Sequence, residues 1–298
     1  MTPFIWRASW NNPNGAWPVK VDRLGLIAGN GKFPLQFSIE AARLGLRVTA
    51  IAHEEETDPD LKKAVDRIHW VKVGQLGRII DLLKEEGLSH LVLLGGITKA
   101  RLFSGARPDL RGAALLVRVK SNKDDAILRA VADEIEKEGI EVKSAAEVLP
   151  SLVVREGVMT RCAPTPGETE DIETGFRAAK VIGRLDIGQC VVVKDRVIVA
   201  VEGVDGTDET IRRGGRLVRG GAVVVKVCKP GQDLRFDMPA IGPVTIDTMA
   251  EAKARVLAVE AGGTLCLDRE RTLAAADRAG IAVVGIDAAR PGPEKRDG

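Results

Sequence analysis

The chain is expected to be an α/β protein with two domains: an N-terminal Rossmann-like parallel-sheet domain and a second, mixed α/β domain. Three observations lead there. Short apolar runs alternate with helical patterns through the first half, which is how a parallel sheet wound with helices reads in sequence. The first apolar run ends in a glycine-rich turn that opens directly into a helical pattern. In the second half two β-branched runs lie close enough to pair as a hairpin before strand–helix alternation resumes, so that sheet should be mixed. At 298 residues the chain is long enough for two cores. The expected division is an N-terminal extension over residues 1–20, a first domain over 21–155 and a second over 156–298.

Taken in order, Arg23 to Ala28 (RLGLIA) reads as a buried strand, GNGKFP as a tight turn, and Leu35 to Leu44 as a helix. RVTAIAH and HWVKV are strand candidates, and LGRIIDLLKEE (Leu76 to Glu86) is a helix stopped by Gly87. HLVLLGGI is a strand ending in paired glycines. Lys123 to Glu138 forms an amphipathic helix with Asp124 and Asp125 in its first turn, where carboxylates suit the helix dipole. After the turn-rich PTPGETED comes a helix from Thr169 to Gly183, then the hairpin CVVVKDRVIVAVE turning at Lys194 and Asp195. AVVVKVC is a strand, VTIDTMAEAKARVLAVE a helix, and TLCLDRERTLAAADRAGIAVVGID a strand–helix–strand unit.

Composition excludes several classes. With 44 basic and 42 acidic residues the net charge is only +2, so no global field points to nucleic acid. Aromatic residues make up 3% with no Tyr, which leaves little for base stacking. Cys162, Cys190, Cys228 and Cys266 are far apart and form no CxxC pair, so buried free thiols of a reducing, cytoplasmic compartment are expected rather than zinc or disulfides. His53, His69 and His90 make no metal motif and read as structural or surface residues. No apolar run is long enough to span a membrane, and the first twenty residues lack a signal-peptide core. That stretch holds Trp6, Trp10 and Trp17, and suits either an unstructured extension or a segment that packs on the fold or touches lipid headgroups.

Ligands of open parallel sheets sit beyond the carboxyl ends of the strands. Three loops are candidates. Gly29, Asn30 and Gly31 precede a helix, so their N–H groups suit a phosphate or nucleotide, although a structural glycine turn fits equally well. Gly95 and Gly96, followed by Thr98 and Lys99, add hydroxyl and ammonium donors at a second strand exit. Glu202, Asp205 and Asp208, with Thr207 among them, crowd the end of VIVAV; crowded carboxylates call for solvent or a cation such as Mg²⁺. Asp208 also suits helix capping. Downstream, Lys226, Lys229 and Arg235 are candidate phosphate clamps in a Pro/Gly-rich segment. Asp237 lies there between Phe236 and Met238, an apolar setting where a lone carboxylate is costly without a partner.

These segments carry a family resemblance. LGLIAGNGKFP, HLVLLGGITK, PDLRG followed by KDDAILR, GRLDIGQCVVVKDRVIVAVEGVDGTDETIRR, VVVKVCKPGQDLRFDMPAIG and GIAVVGID occur in register from about Leu24 to Asp287. Together they resemble the LpxI family of UDP-2,3-diacylglucosamine pyrophosphatases. Asn30 stands where the family pattern expects glycine, a change that left-handed backbone tolerates. The resemblance implies hydrolysis of UDP-2,3-diacylglucosamine to UMP and 2,3-diacylglucosamine 1-phosphate in lipid A synthesis, assisted by Mg²⁺ or Mn²⁺. It further implies a first domain that takes nucleotide or diphosphate, a catalytic second domain, and lipid held between them.

By motif order the essential aspartate maps to Asp237, with Asp233 or one of Glu202, Asp205 and Asp208 as alternatives. Asp237, Glu202 and Asp208 are thus the expected catalytic set, and Asp237, Glu202 and Asp205 the expected metal ligands. Leu, Ile and Val side chains with Phe33, Phe103 and Met238 are expected to line an acyl slot. The protein is expected to be cytoplasmic, in transient peripheral contact with the inner face of the cytoplasmic membrane. It should not bind nucleic acid, and its oligomeric state is left open. Two other readings remain: a nicotinamide-dependent oxidoreductase, for which the third fingerprint glycine is missing, and a non-catalytic nucleotide-sugar or lipid-binding module.

Overall fold

The computed structural model describes residues 22–97, 107–119, 124–236 and 238–287. The Trp-rich start, Thr98, Lys99, Phe103 and Asp237 lie outside the described residues. Five strands form the first sheet: β1 (Arg23–Ala28), β2 (Arg47–His53), β3 (Arg67–Val71), β4 (His90–Leu94) and β5 (Glu141–Val142). All pair in parallel, in the order β3-β2-β1-β4-β5. A parallel sheet covered on both faces needs near-continuous apolar strands, and β1 and β2 are buried at every position after their first.

One face of this sheet carries α1 (Phe33–Arg43), with Phe37 and Ala41 packed on Leu24, Leu26 and Val48. The other carries α2 (Leu76–Glu85), α3 (Leu110–Arg118) and α4 (Asp124–Glu136) over Ile27, Ile51 and Leu93. Helix ends follow local chemistry: Pro34 sits in the first turn of α1, and Gly87, just after α2, takes φ +61°. The sequence reading has no helix at α3; Asp109 starts it by accepting the Gly112 N–H at 2.8 Å. The chain then passes through the short α5 (Ala145–Val148), opened by a reciprocal Ser144–Glu147 cap.

The second domain is built on six strands in the order β6-β13-β11-β9-β7-β8. These are β6 (Gly157–Val158), β7 (Cys190–Lys194), β8 (Val197–Val201), β9 (Val223–Lys226), β11 (Val256–Glu260) and β13 (Ala282–Ile286). Strands β9, β11 and β13 are parallel, while β6, β7 and β8 join by antiparallel pairing, so the sheet is mixed. One face is covered by α6 (Pro166–Arg184). The other is covered by α7 (Gly206–Leu217), α8 (Pro243–Glu251) and α9 (Arg269–Ala279). A small parallel pair, β10 (Ala240–Ile241) and β12 (Leu265–Cys266), adjoins it. Cys190, Cys228 and Cys266 are buried and Cys162 is half-buried; burial pushes the Cys266 thiol up to about 11.

Three local expectations are corrected. The segment VTIDTMAEAKARVLAVE is not one helix: α8 ends at Glu251, Lys253 takes φ +53°, and Val256–Glu260 becomes a central strand. The hairpin turns one residue later, at Asp195 and Arg196, both with positive φ; buried Asp171 accepts their N–H groups at 3.1 and 2.5 Å. Helix α6 starts at Pro166, three residues earlier, because Thr165 and Glu168 cap it reciprocally.

Candidate active site

The order of the first sheet reverses between β1 and β4, and their carboxyl ends open the crevice where such sheets take ligands. Both glycine loops meet there. The Gly29 N–H donates to the Leu94 carbonyl and the Asn30 N–H to the Gly96 carbonyl, each at 2.8 Å. The Gly96 N–H returns a bond to Asn30 Oδ1, and Asn30 Nδ2 reaches Glu56. A Cβ on Gly29 would stand 2.2 Å from the Gly96 oxygen, and one on Gly95 would stand 2.4 Å from the Asn30 oxygen. These two glycines are therefore required by the crossing of two backbones. Three N–H groups that a phosphate cradle would use, those of Gly29, Asn30 and Gly96, already have protein acceptors. Among the described residues no side chain caps the start of α1, next to Gly31, and its first-turn N–H groups are of the kind a helix leaves without an intrahelical acceptor.

The end of β1 is held by His53, which the sequence reads as structural or surface, and by Thr57, which no motif marks. His53 Nδ1 faces the Ala28 carbonyl at 3.0 Å, and the Thr57 hydroxyl donates to the same oxygen at 2.5 Å. Burial pushes the His53 pKa below its ordinary 6.5, so the ring is neutral at pH 7 and donates through Nδ1. Because the folded pKa lies below the unfolded one, the neutral ring's contribution is complete above about pH 6.5 and is lost as pH falls below it. Unfolding free energies measured between pH 7 and 5 should fall more steeply for wild type than for His53→Gln.

Beside this crossing lies a cleft of about 470 Å³ between the two domains, a size that suits small-molecule ligands. The first domain contributes Phe33, Gly95, Gly96 and Leu128. The second contributes Arg184, Asp186, Lys229 and Gln232, together with Phe236 and Met238. Of the residues the sequence singled out, Gly95, Gly96, Lys229, Phe33 and Met238 are thus brought together. Arg184, Asp186 and Gln232 had no motif to announce them. Lys229 Nζ donates to Asp186 at 2.8 Å, tying the 229–236 segment to the end of α6.

That segment plugs the second domain into the first. Phe236 is buried in the same core as Ile27 and Leu93, and Met238 in the core of Leu26, Ala28 and Phe37. The two residues flanking Asp237 are therefore anchored in different cores of the first domain. Polar contacts reinforce the junction. Arg129 of α4 donates to the Gly231 carbonyl and pairs with Asp233 at 3.4 Å, while Arg235 grips Asp233 and reaches Glu136 at 3.5 Å. The Arg235 guanidinium also lies over the Phe236 ring, 4.8 Å from its centroid. Burial pushes the Asp233 carboxyl up, but the hydrogen bonds and charge of Arg235, with Arg129 beyond, outweigh it and hold the group below its ordinary value.

The acidic group after β8 is arranged differently from a ligand shell. Glu202 is buried and accepts the Gln189 N–H at 2.9 Å and the Thr207 hydroxyl at 2.8 Å. Asp205 is exposed; the Arg213 guanidinium at 2.8 Å holds its carboxyl below the usual range. Asp208 sits in the first turn of α7, where a carboxylate favours the helix dipole. Lys226 is buried and donates to the Ala240 carbonyl at 3.0 Å. Among the described residues no three His, Cys, Asp or Glu side chains gather as a metal-binding group.

Comparison with known proteins agrees with this two-part architecture. The profiles of the LpxI N-terminal and LpxI C-terminal domains match residues 23–152 and 155–284. The UDP-2,3-diacylglucosamine pyrophosphatase LpxI of Caulobacter vibrioides is 37% identical over 276 residues, which cover 89% of this chain and 98% of that protein. Among solved structures, Kluyveromyces lactis urea carboxylase aligns at TM-score 0.25 and 16% identity, over 44% of this chain and 10% of that one. Rhizobium etli pyruvate carboxylase aligns at TM-score 0.27 and 14% identity, over 49% and 15%. Likeness that slight carries no argument. The sequence relationships do, and the chain belongs to the LpxI family.

Proposed function

We propose that the chain hydrolyses the pyrophosphate of UDP-2,3-diacylglucosamine in lipid A synthesis, giving UMP and 2,3-diacylglucosamine 1-phosphate. The observation that carries this reading is the 37% identity, over nearly the whole relative, to a protein of that name. The interdomain cleft supports it. It brings the uncapped start of α1 and the cations Lys229 and Arg184 to one opening, as a diphosphate requires. In the proposed reaction the oxygen of one water bonds to the phosphorus attached to the sugar, and the protons it sheds pass to solvent. The bond from that phosphorus to the bridging oxygen breaks, and UMP leaves with the bridging oxygen.

Asp237 accepts a hydrogen bond from the attacking water and orients it. Anchored Phe236 and Met238 fix the backbone on either side, so orientation costs little at the moment of reaction. Lys229, held by Asp186 in the free protein, exchanges that partner for a phosphate oxygen. Arg235, engaged with Asp233, acts by holding the segment in place, and Lys226 does the same through Ala240. Glu202, Thr207 and Asp208 support the neighbouring strand end, and Thr98 and Lys99 are candidate substrate contacts.

Mg²⁺ or Mn²⁺ fits this site only as a partner of the substrate. Such cations commonly bind through one or two carboxylates plus substrate phosphate and water, and the described acids supply no closed cage. Asp237 is the candidate protein ligand, with Glu202 and Asp205 weakened as ligands by their Gln189, Thr207 and Arg213 contacts. When bound, the cation would neutralise charge on the diphosphate oxygens. The test is release of UMP from UDP-2,3-diacylglucosamine in ¹⁸O-water, with Mg²⁺ or with EDTA. The proposal expects cation-dependent release with ¹⁸O in the sugar phosphate. Label in UMP would reverse the site of attack, and no release would remove the function.

A further inference from the structure

The substrate proposed above carries acyl chains, so the protein must meet a lipid phase to reach it, and one rim of the cleft exposes large apolar side chains. Helix α6 ends at the cleft, where Gly183, Arg184 and Asp186 line the wall. On its outward side, and just past its end, Val181, Leu185 and Ile187 are 46%, 66% and 50% exposed. Arg177 and Arg184 flank them, exposed and without a carboxylate partner among the described residues.

These side chains are held in place. Asp186 takes φ +57°, its N–H bonds the Gly183 carbonyl, and the Ile187 N–H bonds the Ile182 carbonyl. That is a closed helix-terminating turn with aspartate in the position glycine usually fills. Placing basic residues near a helix end has an ordinary cause in the helix dipole. The dipole gives no reason for three large apolar side chains within seven residues to face water. Apolar residues interleaved with arginine on a rigid surface are what an anionic bilayer surface binds.

We infer that the end of α6, with Val181, Leu185 and Ile187 as apolar contacts and Arg177 as the headgroup contact, is the surface by which the protein docks on an anionic bilayer beside its substrate cleft. The inference rests on the lipid substrate proposed above. A second copy of the chain is the competing occupant of this face.

The test is flotation of the full chain with vesicles of phosphatidylethanolamine and phosphatidylglycerol, for wild type, Leu185→Ser/Ile187→Ser and Leu185→Phe/Ile187→Phe. Sedimentation without vesicles and hydrolysis of a short-chain, soluble substrate are measured alongside. The serine pair should lower the vesicle partition coefficient by about tenfold or more, and the phenylalanine pair should restore it. Turnover of the soluble substrate should not change, since neither position lines the cleft. Wild type that ignores the vesicles, or serine and wild-type proteins that bind equally, would overturn the inference. A dimer that the serine pair dissociates, with no change on vesicles, would assign the face to a second copy instead. Loss of UMP release by wild type from both substrates would refute the functional reading separately, because flotation does not depend on turnover.

Discussion

Gly95→Ala is expected to lower the stability of the first domain by about 2–5 kcal/mol, the sum of the penalty for a left-handed L-residue and of forced overpacking. Gly95 has φ +82°, and its added Cβ would stand 2.4 Å from the Asn30 carbonyl oxygen, a backbone atom that cannot swing aside. Relieving that contact means parting the two loops that close the end of β1 on β4. For a domain of this size the midpoint of thermal unfolding should drop on the order of 10 °C. Gly31→Ala is the matched control. Gly31 also has positive φ, +85°, but an added Cβ would meet nothing within 4 Å. Its cost should be confined to the backbone term, about 1 kcal/mol, and the difference between the two variants in urea unfolding measures the crossing itself. Equal effects would mean that the loops give way readily and that the crossing does not hold the crevice.

Phe236→Ala should be the most damaging substitution outside the sheets. The side chain is 5% exposed, belongs to the second domain by sequence, and is buried in the core of the first. Truncating a buried Phe costs about 3–5 kcal/mol. Here the loss falls on the junction between domains, so the residue after it loses one of its two anchors. The variant should unfold at lower denaturant and lose turnover even where it remains folded, while Phe236→Leu, which keeps most of the apolar contact, should recover much of both. Turnover that survives in a folded Phe236→Ala protein would separate the junction from the chemistry.

What could be read from the sequence depended on how local the cause was. The strands RLGLIA and RVTAIAH and the glycine loops were legible because apolar period and glycine each act within a few residues. VLAVE was misread as helix because no Gly or Pro breaks AEAKARVLAVE, and a short buried apolar run serves helix and strand alike. The early start of α6 is legible in Thr165-Pro166-Gly167-Glu168, a capping pattern in which Pro and Gly also read as a turn. The helix-ending turn at Asp186 was hidden because aspartate stands where glycine would have marked it.

At the site, the crowding of Glu202, Asp205 and Asp208 was visible, but not the Gln189 N–H and Arg213 guanidinium that engage two of them. Sequence proximity shows charge and conceals partners. The anchoring of Phe236 and Met238 in two cores of the other domain could not be read at all, since it depends on contacts about two hundred residues away along the chain for which no local pattern codes.

The most direct test of the account compares UMP release from UDP-2,3-diacylglucosamine by wild type and by Asp237→Ala, with thermal unfolding run on both. The flanking anchors are untouched by this substitution, so the midpoints should agree, and turnover should fall by about 10²–10⁴, the range for loss of a group that orients or deprotonates water. A folded Asp237→Ala protein that turns over at the wild-type rate would contradict the account and move the chemistry away from the anchored segment.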